Sequence, residues 1–215
     1  MNRIFEFTNK EEIYRKCLYA SIAHAVMVGK YDLLSDEIAW DGDNYLIQNM
    51  GGVRGVIAFS GDLLVCGIQN EAEDPLDLEE CIDKSNADVV KLAKNEVFPD
   101  LLLEGDDGKQ NTVLTAIFWG RIDGLESTMT EEYFMKKSDN VFLPYLYEFD
   151  DLKRYWRDYY ELSDEQEDMI NSIFSKRVSS SSFELDESVK KKLNEWFGEK
   201  TDNCKSSFRE LNIRM

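Results

Sequence analysis

The segment Val53-Arg54-Gly55-Val56-Ile57-Ala58-Phe59 constrains the fold more than any other. It is apolar at nearly every position after Arg54, is entered through Gly51-Gly52 and left through Ser60-Gly61-Asp62, and is followed by a second apolar run, Leu63 to Ile68. A strand wetted on one face alternates apolar and polar residues; a continuous apolar run requires cover on both faces. The bracketing glycines suit tight reversals, because glycine adopts positive φ without a Cβ penalty. With Tyr45-Leu46-Ile47 before it, the region predicts a three-stranded antiparallel meander. Val113 to Trp119, stopped by Gly120, adds a fourth strand, and Val141 to Phe149 is a weaker fifth, since Pro144 has no N–H for a ladder.

Something must cover that sheet, and the flanking sequence reads as helix. Thr8-Asn9-Lys10-Glu11 matches a capping box. Beyond it Ile13, Cys17, Ala20, His24, Met27 and Val28 share one helical face. A short helical turn is expected around Leu33 to Trp40. Asn86 precedes a helix with Val89, Val90, Ala93 and Val97 as its apolar stripe, ending before Pro99, and another helix runs from Thr130 through Lys137. From Asp150 the pattern is helical. Leu152, Tyr155, Trp156, Tyr159 and Tyr160 follow 3.6-residue periodicity, Ser163 to Gln166 form a second capping box, and the next helix buries Met169, Ile170, Ile173 and Phe174. The expected class is α+β: an antiparallel meander sheet of four or five strands packed against an N-terminal helix and others, with a helical C-terminal part. Residues 1–178 are read as the main domain. Residues 179–215 are read as a serine linker (Ser179 to Ser182), a last helix carrying Leu185, Val189, Leu193, Trp196 and Phe197, and a loosely held tail after Gly198.

Charge narrows the function. The chain has 25 basic and 43 acidic side chains, a formal charge of −18. That balance opposes direct binding to nucleic acid or to an anionic membrane surface, which need clustered Lys and Arg, and favours a basic protein partner. The asymmetry is regional: residues 61–108 carry 14 acids against 3 bases, residues 176–215 only 7 against 9. Its focus is Glu71, Glu73, Asp74, Asp77, Glu79, Glu80 and Asp83. A solvated loop and helix start account for such a run through the helix dipole; the functional reading is a surface that steers a basic partner.

Catalytic and metal chemistry find little support in the residues. His24 is the single histidine, and Cys17, on its helix face, lies seven residues or roughly 10 Å along the axis, too far for a dyad. The four cysteines form no C-x-x-C pair, which points to buried reduced thiols and away from zinc. Asp41-Gly42-Asp43-Asn44 and Glu104 to Gly108 lack the full EF-hand ligand set. Gly51-Gly52 leads into a strand, whereas phosphate loops lead into a helix. Arg54, an isolated cation on an apolar strand, joins His24 as a candidate ligand-binding residue. The aromatic cluster Tyr155-Trp156-Tyr159-Tyr160 reads as helical core packing before it reads as an interaction stripe. No cofactor, metal or membrane span is expected, and the location expected is cytoplasmic.

Three functions are carried forward. The first is a non-enzymatic acidic binding protein, an inhibitor or adaptor for a basic partner; in general appearance the chain is similar to small immunity proteins, with no residue motif that identifies them. The second is an enzyme or small-molecule binder whose site has no linear motif. The third is a structural subunit that self-associates through its C-terminal helix.

Overall fold

The computed structural model describes residues 2–6, 8–82, 85–105 and 108–215, with the side chain of Asp32 outside the description. Its elements begin with β1 (Asn2–Ile4), α1 (Lys10–Met27), β2 (Ile38–Asp41), β3 (Asn44–Gln48), β4 (Val53–Ser60) and β5 (Leu63–Asn70). There follow α2 (Leu78–Ile82), α3 (Ala87–Leu92), β6 (Leu102–Glu104), β7 (Gln110–Thr112), β8 (Ala116–Arg121), β9 (Gly124–Ser127) and α4 (Glu131–Lys137). The chain ends with α5 (Phe149–Tyr159), α6 (Asp164–Ser179), β10 (Phe183–Glu184), α7 (Glu187–Phe197), α8 (Thr201–Glu210) and β11 (Ile213–Arg214).

The protein is α+β. A seven-stranded antiparallel sheet runs in the order β1-β9-β8-β5-β4-β3-β2, so the expected meander is present and the short strands β1, β2 and β9 extend it. Two compact units divide the chain: Met1–Tyr14 with Asp43–Leu146, and Arg15–Gly42 with Tyr147–Met215.

In the first unit the register explains why the central strands are apolar throughout. Leu46, Val56, Gly67 and Ile117 are successive cross-strand partners in one row; Tyr45, Ile57, Cys66 and Phe118 form the adjacent row. Side chains alternate across a pleated sheet, so the two rows point to opposite faces. The first face is covered by Ile82, Val89, Leu92, Ala93, Val97, Phe98, Leu101 and Leu114. Those residues come from α2, α3, a π-helical turn at Ala93–Val97, the short turn that follows it and, for Leu114, the segment between β7 and β8. Gly67 permits that approach, because a Cβ there would sit 2.6 Å from Val97 Cγ1. The opposite face carries an aromatic cluster. Phe118 meets Phe5, Phe134 and Phe142 at 6.1, 5.3 and 4.9 Å between centroids, and the Tyr45 and Tyr145 hydroxyls share a hydrogen bond. Each fully buried ring contributes roughly 1.5–3 kcal/mol through area alone.

The second unit is helical. Tyr19 of α1 sits edge-on to Phe149 and Phe174 at 5.4 and 5.3 Å. Gly29 lies directly beneath the Phe197 ring. The serine run is a short connection: Ser179 ends α6, Ser180 is extended, and β10 then pairs in parallel with β11, Phe183 opposite Ile213. The stretch after Gly198, expected to be loose, forms α8 and β11, with Cys204, Phe208, Leu211 and Ile213 buried.

Several local expectations change. Asn9, not Thr8, caps α1, its Oδ1 accepting from the N–H groups of Glu11 and Glu12 at 3.0 and 3.2 Å. Ser163 and Gln166 form the expected reciprocal capping box. Residues 32–34 make a 3₁₀ turn and residues 35–37 a further turn, but from Ile38 the segment read as helical is the strand β2. Leu143–Leu146 is a 3₁₀ turn where a fifth strand was expected, in keeping with the missing N–H of Pro144. Among the described residues no helix is long and apolar enough to cross a membrane.

Candidate functional site

The acidic run begins where β5 stops. Asn70 ends the strand with its side chain, its Oδ1 accepting from Ala72 N–H at 3.0 Å while its carbonyl accepts from Glu73 N–H at 3.1 Å. This is the local turn chemistry that Asn supplies. Glu71 N–H donates to the Gly52 carbonyl at 3.2 Å, and the Glu71 carboxylate lies over Gly52, whose φ of 85° requires glycine. Leu76 N–H donates to the Leu114 carbonyl at 2.7 Å, and Leu76 and Leu78 pack onto the first-face core. The segment is therefore tied at both ends and in its middle.

Two of the acids hold it in place. Asp77 Oδ1 accepts from the N–H groups of Glu79 and Glu80 at 3.0 and 3.1 Å, the geometry of a helix N-cap for α2. Glu73 Oε2 meets Lys137 Nζ at 2.8 Å, and the Lys137 side chain is only 7% exposed. The ammonium donates also to the Asp74 carbonyl at 3.4 Å and lies 5.6 Å from the Tyr133 ring centroid. The Lys137 carbonyl accepts from Thr115 Oγ1 at 3.1 Å and from Asn70 Nδ2 at 3.4 Å. The hydrogen bond from Lys137 holds the Glu73 carboxyl below its ordinary range, and the same bond holds the lysine above its own. A buried cation clasps the acidic loop to the end of α4.

Glu71, Asp74, Glu79 and Glu80 are exposed, and none forms an ion pair among the described residues. Asp83 lies outside the described residues. Tyr133, 44% exposed, adjoins the clasp, and Met50, 87% exposed, precedes the Gly51-Gly52 turn beneath Glu71. Neither Tyr133 nor Lys137 was singled out from the sequence. Lys137 reads there as an ordinary basic residue in the last turn of a helix; only the tertiary fold places Glu73 beside it.

His24 belongs to the second unit and is 1% exposed. Its Nδ1 pairs with the Tyr160 hydroxyl at 3.1 Å, while Nε2 has no well-aligned hydrogen bond. Burial pushes the imidazole down to about 4, offset only in part by the Ser35 backbone and the Asp36 carboxylate, so the ring is neutral near pH 7. Arg54 belongs to the first unit and is exposed, with Gln48 and Gln69 as its cross-strand partners. In the aromatic cluster Trp156 and Tyr160 are buried, whereas Tyr159 is 39% exposed and donates its hydroxyl to the Glu37 carboxylate.

The first unit carries two shallow clefts. One of about 190 Å³ is lined by Arg3, Asn86, Trp119, Arg121, Asp123 and Glu126 among others; one of about 330 Å³ is lined by Asp62, Asp88, Lys91, Glu96 and Arg121. Arg121 stands in both, and Asp62 and Asp88 already pair with its guanidinium. Neither cleft is lined by Arg54. Among the described residues no group of three or more His, Cys, Asp or Glu side chains is placed to hold a metal ion. Asp106 and Asp107 of the Glu104 to Gly108 loop lie outside the description. The four cysteines are buried and form no disulfide; burial drives Cys66 far up and Cys204 up to about 11, which leaves both as protonated thiols.

Comparison with protein-family models, with curated proteins and with solved structures finds no match to this chain.

Proposed function

We propose that the chain is a non-enzymatic binding protein whose acidic run receives a basic protein partner, in the manner of an immunity-type inhibitor or an adaptor. One observation supports this reading above the others: Glu71, Asp74, Glu79 and Glu80 face solvent without ion-pair partners among the described residues, on a segment tied down by the Glu73–Lys137 bridge and the Asp77 cap. A solvated acidic tail gains nothing from being held. A binding surface does, because ordering it beforehand removes entropy that association would otherwise cost. Tyr133 and Met50 add apolar area beside the carboxylates, and tyrosine is among the residues that dominate interface energetics.

The test is retention of partners from a lysate of the source cells on immobilised protein, comparing the wild type with the variant Glu71→Lys, Asp74→Lys, Glu79→Lys, Glu80→Lys. These side chains are exposed, so the variant keeps its fold. Basic proteins held by the wild type, released by added salt and absent from the variant are the expected result. Identical retention by both proteins would remove the reading.

A further inference from the structure

In the second unit Glu37 stands in the turn before β2, its N–H donating to the Leu34 carbonyl at 3.0 Å. Its carboxylate is turned onto α5, where Tyr159 donates its hydroxyl to Oε1. The other oxygen, Oε2, is buried and has no hydrogen-bond partner. Burial pushes this carboxyl up, and the group that opposes burial is the Tyr159 hydroxyl, which carries no charge. Among the described residues Glu37 forms no ion pair. The chain therefore carries a half-buried anion that it does not itself neutralise, which costs free energy unless a cation arrives from outside.

Aromatic rings frame that charge. Tyr155 and Tyr159, one helical turn apart on α5, stack at 6.0 Å with 15° between their planes, and Tyr147, just before the helix, stands at 63° to Tyr155 with 6.1 Å between centroids. The Glu37 carboxylate acts electrostatically on Tyr155 as well as on Tyr159, so the acid and the rings belong to one cluster. Tyr147 and Tyr155 are half-buried and Tyr159 is 39% exposed, which leaves ring surface in contact with solvent. The face of an aromatic ring is the negative part of its quadrupole. Rings and carboxylate therefore attract the same kind of ligand, a cation.

The burial of Oε2 selects among cations. A primary ammonium or a guanidinium needs hydrogen-bond acceptors when it leaves water, and the carboxylate oxygen without a partner is screened from contact. A quaternary ammonium has no N–H to satisfy; it rests its methyl groups on aromatic faces and needs only the field of the carboxylate behind them. We propose that Tyr147, Tyr155, Tyr159 and Glu37 form a site for a quaternary ammonium group. The rings are partly exposed, so the expected dissociation constant is on the order of a millimolar. This site lies in the second unit, apart from the acidic run in the first, and neither proposal depends on the other.

Choline is the probe, with 3,3-dimethylbutan-1-ol as its uncharged isostere and ethanolamine as its primary-amine counterpart. The intact chain is labelled with 3-fluorotyrosine, and the signals of Tyr147, Tyr155 and Tyr159 are picked out from those of the ten tyrosines by the three single Tyr→Phe variants. The expected result is a saturable shift of these three signals by choline, with the others unmoved. The isostere and ethanolamine should each bind at least about fivefold more weakly. Glu37→Gln and Tyr147→Leu should each weaken choline about threefold, in line with one partly exposed charge or ring contact. Tyr147 lies outside the helix and Glu37 in a turn, and unmoved signals from the remaining tyrosines show that each variant keeps its fold. A shift that does not saturate, equal binding of the isostere or of ethanolamine, or an unchanged constant in either variant would each overturn the proposal.

Discussion

The two units treat buried polar atoms differently. In the first, Thr115, Ser127, Asn70 and Lys137 are buried and each is bonded, Ser127 Oγ for example donating to the Ile117 carbonyl and accepting from Met129 N–H. Thr8 Oγ1 and Gln69 Oε1 are its exceptions among the described residues. In the second, Ser21 and Thr201 are buried and bonded, but among the described residues Tyr19 Oη, Glu37 Oε2, Trp156 Nε1 and Asn171 Oδ1 are buried without a hydrogen-bond partner and His24 Nε2 lacks a well-aligned one. The difference follows from architecture. A sheet edge and its turns offer free backbone groups to nearby side chains, whereas helices consume their backbone bonds internally and position aromatic rings by shape, leaving the polar tips of those rings to chance. The first unit should be sensitive to lost contacts, and the second to charge.

The largest effect expected is Phe118→Ala, which empties the middle of the aromatic face and should cost about 3–5 kcal/mol in urea unfolding. A loss below about 1 kcal/mol would mean that this face is not packed as described.

Acid should act on the second unit through His24. Its folded value is about 4 against an ordinary 6.5, so the unfolded chain takes up the proton first. Stability from this group is complete above pH 6.5, falls as pH drops from 6.5 towards 4, and levels off below; the window amounts to about 3 kcal/mol. Glu37 and Glu210, raised by burial, oppose it by favouring the folded state as pH falls. The measurement is therefore a difference: wild type minus His24→Phe, unfolded in urea at several pH values. A flat difference across that window would show that His24 is not buried as a neutral ring.

Gly29→Ala should displace Phe197 and destabilise by about 1–3 kcal/mol, read in the same assay. The smallest pair is the sharpest on the comparison itself. Thr115→Val removes a hydroxyl bonded to the Ile68 and Lys137 carbonyls and should cost about 1 kcal/mol. Tyr19→Phe removes a buried hydroxyl with no partner and should be neutral or slightly stabilising. Equal losses from both would erase the distinction between the units.

The apolar run from Val53 and its glycine turns carried the sheet, because a strand covered on both faces has a local signature. Ser163 and Gln166 were legible for the same reason: a capping box is complete within four residues. The short strands β1, β2 and β9 were not, since three or four residues with mixed polarity acquire strand form only from the neighbour they pair with. The acidic run could be read as composition, and its exposed members are where composition put them. What the sequence could not show is that Glu73 and Asp77 do internal work and that Lys137, 63 residues after Asp74, closes the loop. Nor could it show that Phe197 seats on Gly29, a contact between residues far apart in the chain.

The proposed function requires that a pre-ordered acidic surface meet a basic partner. The direct measurement is the association rate of a partner retained by the wild type, followed across ionic strength for the wild type and for the fourfold lysine variant. Electrostatic steering predicts a wild-type rate that falls steeply with salt and a variant rate that is at least about tenfold lower at low salt. Rates that coincide at low salt, with no salt dependence in the wild type, would contradict it.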